Sequence, residues 1–235
     1  MNRIPYHIIS TGSQGNAVVL NNNVLIDCGV SFKAVSPFLK KIQLVLLTHR
    51  HTDHFNKAAI RLIAQERPAV RFGCGGWLAA PLMECGVEKY RIDILDSDHS
   101  YDYGICRVTP VSLVHNVPNC GYKVHFPAGK VFYATDTNNL NGIMAKNYDL
   151  YLVEANYEDA EIEERIQRKK EAGEYVYELQ AMKNHLSKAK CDDFIYKNIG
   201  VLGEYVYMHC HKETPVLEDG KRGAEGDCQR IYKGI

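Results

Sequence analysis

Four apolar residues, Leu44-Val45-Leu46-Leu47, run straight into Thr48-His49-Arg50-His51-Thr52-Asp53-His54. A run this short, bounded by polar residues, reads as a buried strand rather than a helix. It empties three histidines and one aspartate into the loop that follows. Neutral imidazoles and a carboxylate suit zinc, manganese or iron. Alternate residues of an extended segment share a side, so His49 and His51 can point at one ion, while Asp53 and His54, beyond the bend, face a second. The rival reading is a surface loop that is rich in histidine by chance. Four potential ligands abutting a strand that otherwise carries only hydrophobic side chains argue against it.

The chain has 235 residues, 46% of them hydrophobic, with 28 basic and 28 acidic side chains. Chains of this size commonly bury about 70% of their unfolded surface, so one domain with a substantial core is expected. Zero formal charge advertises no nucleic-acid partner, and any such partner must be read by a local patch or by metal ions. No run approaches the ~20 apolar residues of a spanning helix, and Met1-Asn2-Arg3-Ile4-Pro5 opens no signal peptide, which together predict a cytoplasmic protein without membrane contact. Eight scattered cysteines form no CxxC pair and fit free thiols in a reducing compartment. Cys210, beside His209, is the one thiol expected near the site, with small core packing as its alternative role.

In chain order, Tyr6 to Thr11 and Ala17 to Leu20 read as strands joined by Gly12-Ser13-Gln14-Gly15-Asn16, and Asn21-Asn22-Asn23 turns into Val24 to Gly29. Asp27 ends an apolar strand, either steadying a histidine ligand or forming a turn. Short helices are predicted for Ser31 to Lys41, Phe55 to Glu66 and Trp77 to Cys85, with a strand at Val70 to Gly73. Trp77, the sole tryptophan, is expected in the core rather than as a binding platform. Strand character returns from Arg91 onward, and Ile105 to Val114 arrives at His115, repeating the geometry of the first site. His99 and His125 have no such setting.

A hairpin of Gly121 to Phe126 and Lys130 to Ala134 ends in Thr135-Asp136-Thr137. An ionised Asp136 there can bridge two cations with its two oxygens, or cap a short helix at Asn139 to Ala145. Asp149 to Ala155 is a further strand, with Glu154 at its exit. Glu158 to Met182 is helical, with Gly173 a potential break. Its run Arg165-Gln167-Arg168-Lys169-Lys170 reads as a solvated face balanced by glutamates more readily than as a phosphate contact. Ser187 caps a helix from Lys188 to Asn198, and Glu204 to Met208 is a third strand ending in imidazole, at His209-Cys210-His211. The stretch 215–235, rich in glycine and charge, is expected to be an irregular tail.

His49-Arg50-His51-Thr52-Asp53-His54 matches the HxHxDH signature of the metallo-β-lactamase superfamily, which the chain resembles. The resemblance implies an α/β fold, an αββα sandwich of two mixed β-sheets flanked by helices, over one domain spanning 1–235. It also implies two divalent ions, zinc or manganese. His49, His51 and His115 would hold one, Asp53, His54 and His209 the other, and Asp136 would bridge them. A hydroxide held between two such ions is a nucleophile near neutral pH.

Within the superfamily the chain is similar to the YycJ branch, whose relatives include ribonucleases Z and J. The matching segments are Gly12-Ser13-Gln14-Gly15-Asn16, Leu47-Thr48-His49, His115 with Pro118 and Gly121-Tyr122, Ala134-Thr135-Asp136-Thr137, Leu152-Val153-Glu154-Ala155-Asn156 and His185-Leu186-Ser187. That likeness implies a phosphodiester hydrolase, a DNA exonuclease-like enzyme, in which Asp53, Asp136 and His185 carry catalysis and His185 protonates the leaving group. A nucleic acid or nucleotide is then the partner. Two alternatives stand beside it: a phosphodiesterase of cyclic or modified nucleotides, and a non-catalytic metal-binding sensor or scaffold. The branch usually has serine after the final ligand, where this chain has Cys210, so His211 is an alternative ligand to His209.

Overall fold

The computed structural model describes residues 4–210 and Tyr232–Lys233. Its first sheet has six strands in sequence order: β1 (Tyr6–Ser10), β2 (Ala17–Leu20), β3 (Val24–Ile26), β4 (Leu44–Leu47), β5 (Arg71–Cys74) and β6 (Ile92–Ile94). The tight turns between β1, β2 and β3 make those pairs antiparallel, whereas β3 to β6 run parallel. The second sheet has seven strands, from β7 (Tyr101–Asp102) through β8 (Arg107–Leu113), β9 (Asn119–Phe126), β10 (Gly129–Ala134), β11 (Leu150–Glu154) and β12 (Glu204–Met208) to β13 (Tyr232–Lys233). Only β10, β11 and β12 are parallel to one another. Both sheets are therefore mixed.

Side-chain alternation sorts the strands into layers. On β4, Leu44 and Leu46 enter the core between the sheets, where they meet Val124, Val131 and Leu152. Val45 and Leu47 point the other way, onto α1 (Phe32–Val35), α2 (Lys57–Glu66) and α3 (Ala79–Glu84) through Val35, Ile60, Ile63 and Leu82. Burying one such side chain contributes about 2 kcal/mol, so a one-residue slip of β4 would invert its whole set. On the far side, Phe132, Tyr151 and Val153 pack against Leu186, Phe194 and Ile195 of α6 (Lys188–Asn198) and the segment before it. Helices thus cover both outer faces of the two sheets.

Local chemistry explains where the elements depart from the predicted spans. The helix expected from Ser31 to Lys41 ends at Val35. Pro37 cannot donate the next helical hydrogen bond, and the chain continues in tighter turns such as Phe38 N–H to the Val35 carbonyl. The stretch Glu158 to Met182 is two helices, α4 (Asp159–Glu171) and α5 (Glu178–Asn184), broken where Gly173 takes φ +67°. Arg165 of α4 is buried and Lys169 pairs with buried Glu178 at 2.7 Å, so part of that basic run faces inward rather than solvent. No helix forms at Asn139 to Ala145, which removes the capping role for Asp136. Trp77 is not in the core: it keeps 36% of its surface exposed. Within the tail expected to be irregular, Tyr232–Lys233 pairs with Glu204–Tyr205. His211, Cys228 and the rest of the 215–235 stretch lie outside the described residues.

Backbone hydrogen bonds lace the exit of β3 to the loop after β4. Cys28 N–H donates to the His54 carbonyl at 2.9 Å, Asn56 N–H to the Cys28 carbonyl at 2.8 Å, and Asn16 N–H to the Asp53 carbonyl. Gly29 permits this approach, since a Cβ there would lie 1.7 Å from the Asp53 carbonyl oxygen. Two fully buried tyrosines reach across the sandwich to the same region: Tyr122 on β9 donates to the Leu47 carbonyl at 2.6 Å, and Tyr133 on β10 to the Asp27 carboxylate at 3.2 Å. Gly29→Ala is expected to cost roughly 2 kcal/mol or more and to displace Asp53 and His54. Denaturant melts paired with metal analysis test this, and a variant with unchanged metal content refutes the coupling.

Candidate metal centre

Strands β4, β8 and β12 each end on an imidazole, at His49, His115 and His209, and the three ends share one rim. The structure gathers there all seven residues expected as ligands. His49, His51 and His115 form one cluster, Asp53, His54 and His209 another, and Asp136 stands with His49 and His54 between them. His49 Nε2 lies 3.1 Å from His51 Nδ1, which lies 3.3 Å from His115 Nε2. Asp136 divides its oxygens, with Oδ2 2.7 Å from His54 Nε2 and Oδ1 3.7 Å from His209 Nδ1.

The outer hydrogen bonds decide which nitrogens are left for a cation. His115 Nδ1 donates to the Asn184 carbonyl at 3.0 Å, so its Nε2 carries a lone pair toward His51. His54 Nδ1 donates to Asp27 Oδ2 at 2.7 Å, which leaves Nε2 facing the Asp136 carboxylate and the Asn16 amide at 2.8 Å. Asp27 also accepts from Thr48 N–H at 2.9 Å and from the Thr48 hydroxyl. It therefore does both things its sequence position allowed: it turns the chain, at φ +58°, and it steadies a ligand. His209 Nε2 has no hydrogen-bond partner among the described residues. Lone pairs and carboxylate oxygens converging with so few donors between them fit divalent cations, and the donor set of imidazole and carboxylate suits zinc or manganese.

Three residues of the rim hold left-handed backbone angles: Asp27 at φ +58°, Asp136 at +57° and His209 at +50°. Asp and His tolerate that region better than most residues, yet each such angle costs on the order of 1 kcal/mol. All three lie just past the end of a strand, where the chain must turn its side chain across the rim.

Sequence reasoning placed Glu154 at a strand exit without giving it a role. The buried carboxylate accepts from His185 Nδ1 at 2.7 Å and contacts His209 Nδ1 at 3.1 Å through Oε1, while Oε2 takes Thr137 N–H at 2.9 Å. The signal was available, because a charged residue closing an all-apolar strand is what also marks Asp27. Asn16, fully buried and in contact with His54, was likewise passed over as part of a turn. His185 stacks on His209 with centroids 5.1 Å apart and keeps 20% of its side chain accessible. His99 is exposed, and His125 bonds to Tyr148 at 2.7 Å, away from the rim.

Charge balance divides the imidazoles into two classes. Burial and then the neighbouring His54 drive His49 down to about 2, and burial also lowers His115, so both are neutral as a ligand must be. Burial opposes a charge on His54 as well, but Asp136 and Asp27 overcome it and push the group up to about 10; Asp136 and Asp53 likewise raise His209. In chelator-treated protein these protons take the place of cations. A raised folded-state value stabilises below the ordinary 6.5 and loses that contribution as pH climbs toward 10, while neutral His49 loses stability as pH falls below 6.5. Metal-free protein should therefore melt highest near pH 6.5. Added zinc should raise the melting temperature more at pH 9 than at pH 6; an equal rise at both would refute proton displacement.

No curated protein matches the sequence. Among solved structures, the metallo-beta-lactamase fold protein YhfI from Bacillus subtilis superposes with a TM-score of 0.67 at 14% identity, covering 97% of this chain and 98% of that one. Human tRNase Z, short form, superposes with a TM-score of 0.61 at 18% identity over 88% and 92%. At these identities the likeness is one of fold. Residues 22–185 match the model of the beta-lactamase superfamily domain, and the chain belongs to that family.

Proposed function

We propose that this protein is a cytoplasmic phosphodiesterase of the YycJ-like branch that uses two zinc or manganese ions to cleave nucleic acid, with DNA cut exonucleolytically. The observation that carries the reading is the Glu154–His185 pair. It belongs to neither ligand trio, although it stands close enough to Asp136 and His209 for the four to share an ion, with His185 Nδ1 3.6 Å from Asp136 Oδ1. An alkoxide leaving a phosphodiester needs a proton, and an accessible imidazole braced by a buried carboxylate is suited to deliver one. The short human tRNase Z among the structural neighbours lends support for a nucleic-acid substrate.

In this reading His49, His51 and His115 would hold one cation and Asp53, His54 and His209 the other, with Asp136 placed to serve both. Bound divalent ions supply acidified water and withdraw charge from the phosphoryl group. Asp27 and the Asn184 carbonyl keep His54 and His115 in the tautomers that present Nε2 inward. Asp53, the one carboxylate of its trio, keeps 23% of its side chain exposed and would orient the attacking water. Glu154 accepts from Nδ1 of His185, and Nε2 of the same ring gives the leaving oxygen its proton.

Asp136→Ala should abolish hydrolysis of bis-p-nitrophenyl phosphate and lower metal content. On DNA, where the leaving group is an alkoxide, His185→Ala should lose on the order of 10²-fold or more in rate with both ions retained, and loss of metal in that variant would make His185 a ligand instead of an acid. Cleavage of end-labelled DNA should weaken steeply with added salt through counterion release. A flat salt response would favour a small nucleotide substrate, and metal-loaded protein that hydrolyses no phosphodiester would be a sensor or scaffold.

A further inference from the structure

Trp77 lies in a short turn of helix, Gly76–Leu78, that leaves the end of β5. Because β5 runs parallel to β4, that turn emerges on the same rim as the histidine loop. The indole Nε1 donates to the carbonyl of Thr48 at 3.2 Å, one peptide unit before His49. Its benzo edge rests on bare backbone at Gly75, where a Cβ would fall 2.2 to 2.4 Å from the ring carbons. The ring is thus fixed at both ends, in a residue that is still 36% exposed. Arg50, on the loop itself, is also exposed.

A ring already held rigid loses little entropy when another ring stacks on it. The anchor of Trp77 is the Thr48 carbonyl at the start of the histidine loop, which puts the ring on the rim that carries the candidate centre. We propose that Trp77 is a stacking platform for a nucleobase flanking the scissile phosphate, which selects nucleotide-containing phosphodiesters over base-free ones. This rests on the phosphodiesterase reading above and adds the substrate class to it. Stacking on one aromatic face tolerates any base, so the preference should be for the presence of a base rather than for its identity.

The chain has one tryptophan, so its fluorescence reports this position alone. Zinc-loaded protein is titrated with adenosine 5′-monophosphate and with ribose 5-phosphate, exciting at the red edge where adenine does not absorb, and binding is measured in parallel by calorimetry. The nucleotide should quench the emission and bind about tenfold or more tightly than ribose 5-phosphate, which leaves the emission unchanged. Trp77→Ala should bring the two ligands to equal affinity, and Trp77→Phe, which keeps a ring, should restore part of the difference. Equal binding of both ligands to the wild type, or a preference that survives in Trp77→Ala, overturns the platform. Neither readout needs turnover: quenching without any phosphodiester hydrolysis sinks the hydrolase reading alone, and hydrolysis without a base preference sinks the platform alone.

Discussion

Six imidazoles and four carboxylates crowd one rim of the sandwich, and their charge must be balanced away from bulk water. That requirement explains more of the structure than any single packing contact. Asp136 is almost fully buried, and burial alone would raise it; His209 and His54 instead hold it well below the usual carboxylate range. Either protons on those imidazoles or cations among them must supply the compensation. Neutral, strongly depressed His49 shows that the site does not simply protonate throughout. An arrangement with lone pairs on one side and carboxylates on the other is organised for ions rather than for hydrogen bonds.

The fold makes such a gathering inexpensive. Parallel strands β3 to β6 in one sheet and β10 to β12 in the other put successive strand exits at one edge, where open α/β architectures commonly place their sites. The apolar strands provide stiffness, since β4 and β11 are buried along their whole lengths. Left-handed angles at Asp27, Asp136 and His209 then redirect the chain within one residue of leaving the sheet or nearly so. Tyr122 and Tyr133 couple the sheets at the same level, so the two halves of the rim cannot shift independently without leaving a buried hydroxyl unpaired.

Much of this was legible in the sequence because the ligands follow runs whose period and length are unambiguous. The spans predicted around β2, β4, β12 and α6 match within a residue or so, and Ser187 caps α6 as expected, accepting from Lys190 N–H. What was not legible depended on contacts distant in the chain. Pro37 shortens α1 by a local rule that the helical pattern masked. Trp77 is expected in the core rather than as a binding platform, and no local feature announces that its N–H meets Thr48, 29 residues earlier. Glu154 gains its meaning only when His185 and His209, 31 and 55 residues away, arrive beside it.

Asp27 and Glu154 are the same device used twice, and they differ in what they brace. Each carboxylate closes an apolar strand, takes a backbone N–H from just past the exit of the neighbouring parallel strand, at Thr48 and Thr137 respectively, and accepts from an imidazole Nδ1. Asp27 spends its remaining capacity inside the protein, on the Thr48 and Tyr133 hydroxyls, and its imidazole, His54, is wholly buried among the ligands. Glu154 instead serves two rings, one of which, His185, is open to solvent. Asp136, Glu154, His185 and His209 also stand close enough to share an ion, so the acid role proposed for His185 rests on its exposure and on its brace. A buried carboxylate that braces a partly exposed imidazole is the arrangement that the proposed proton delivery to a leaving oxygen would require.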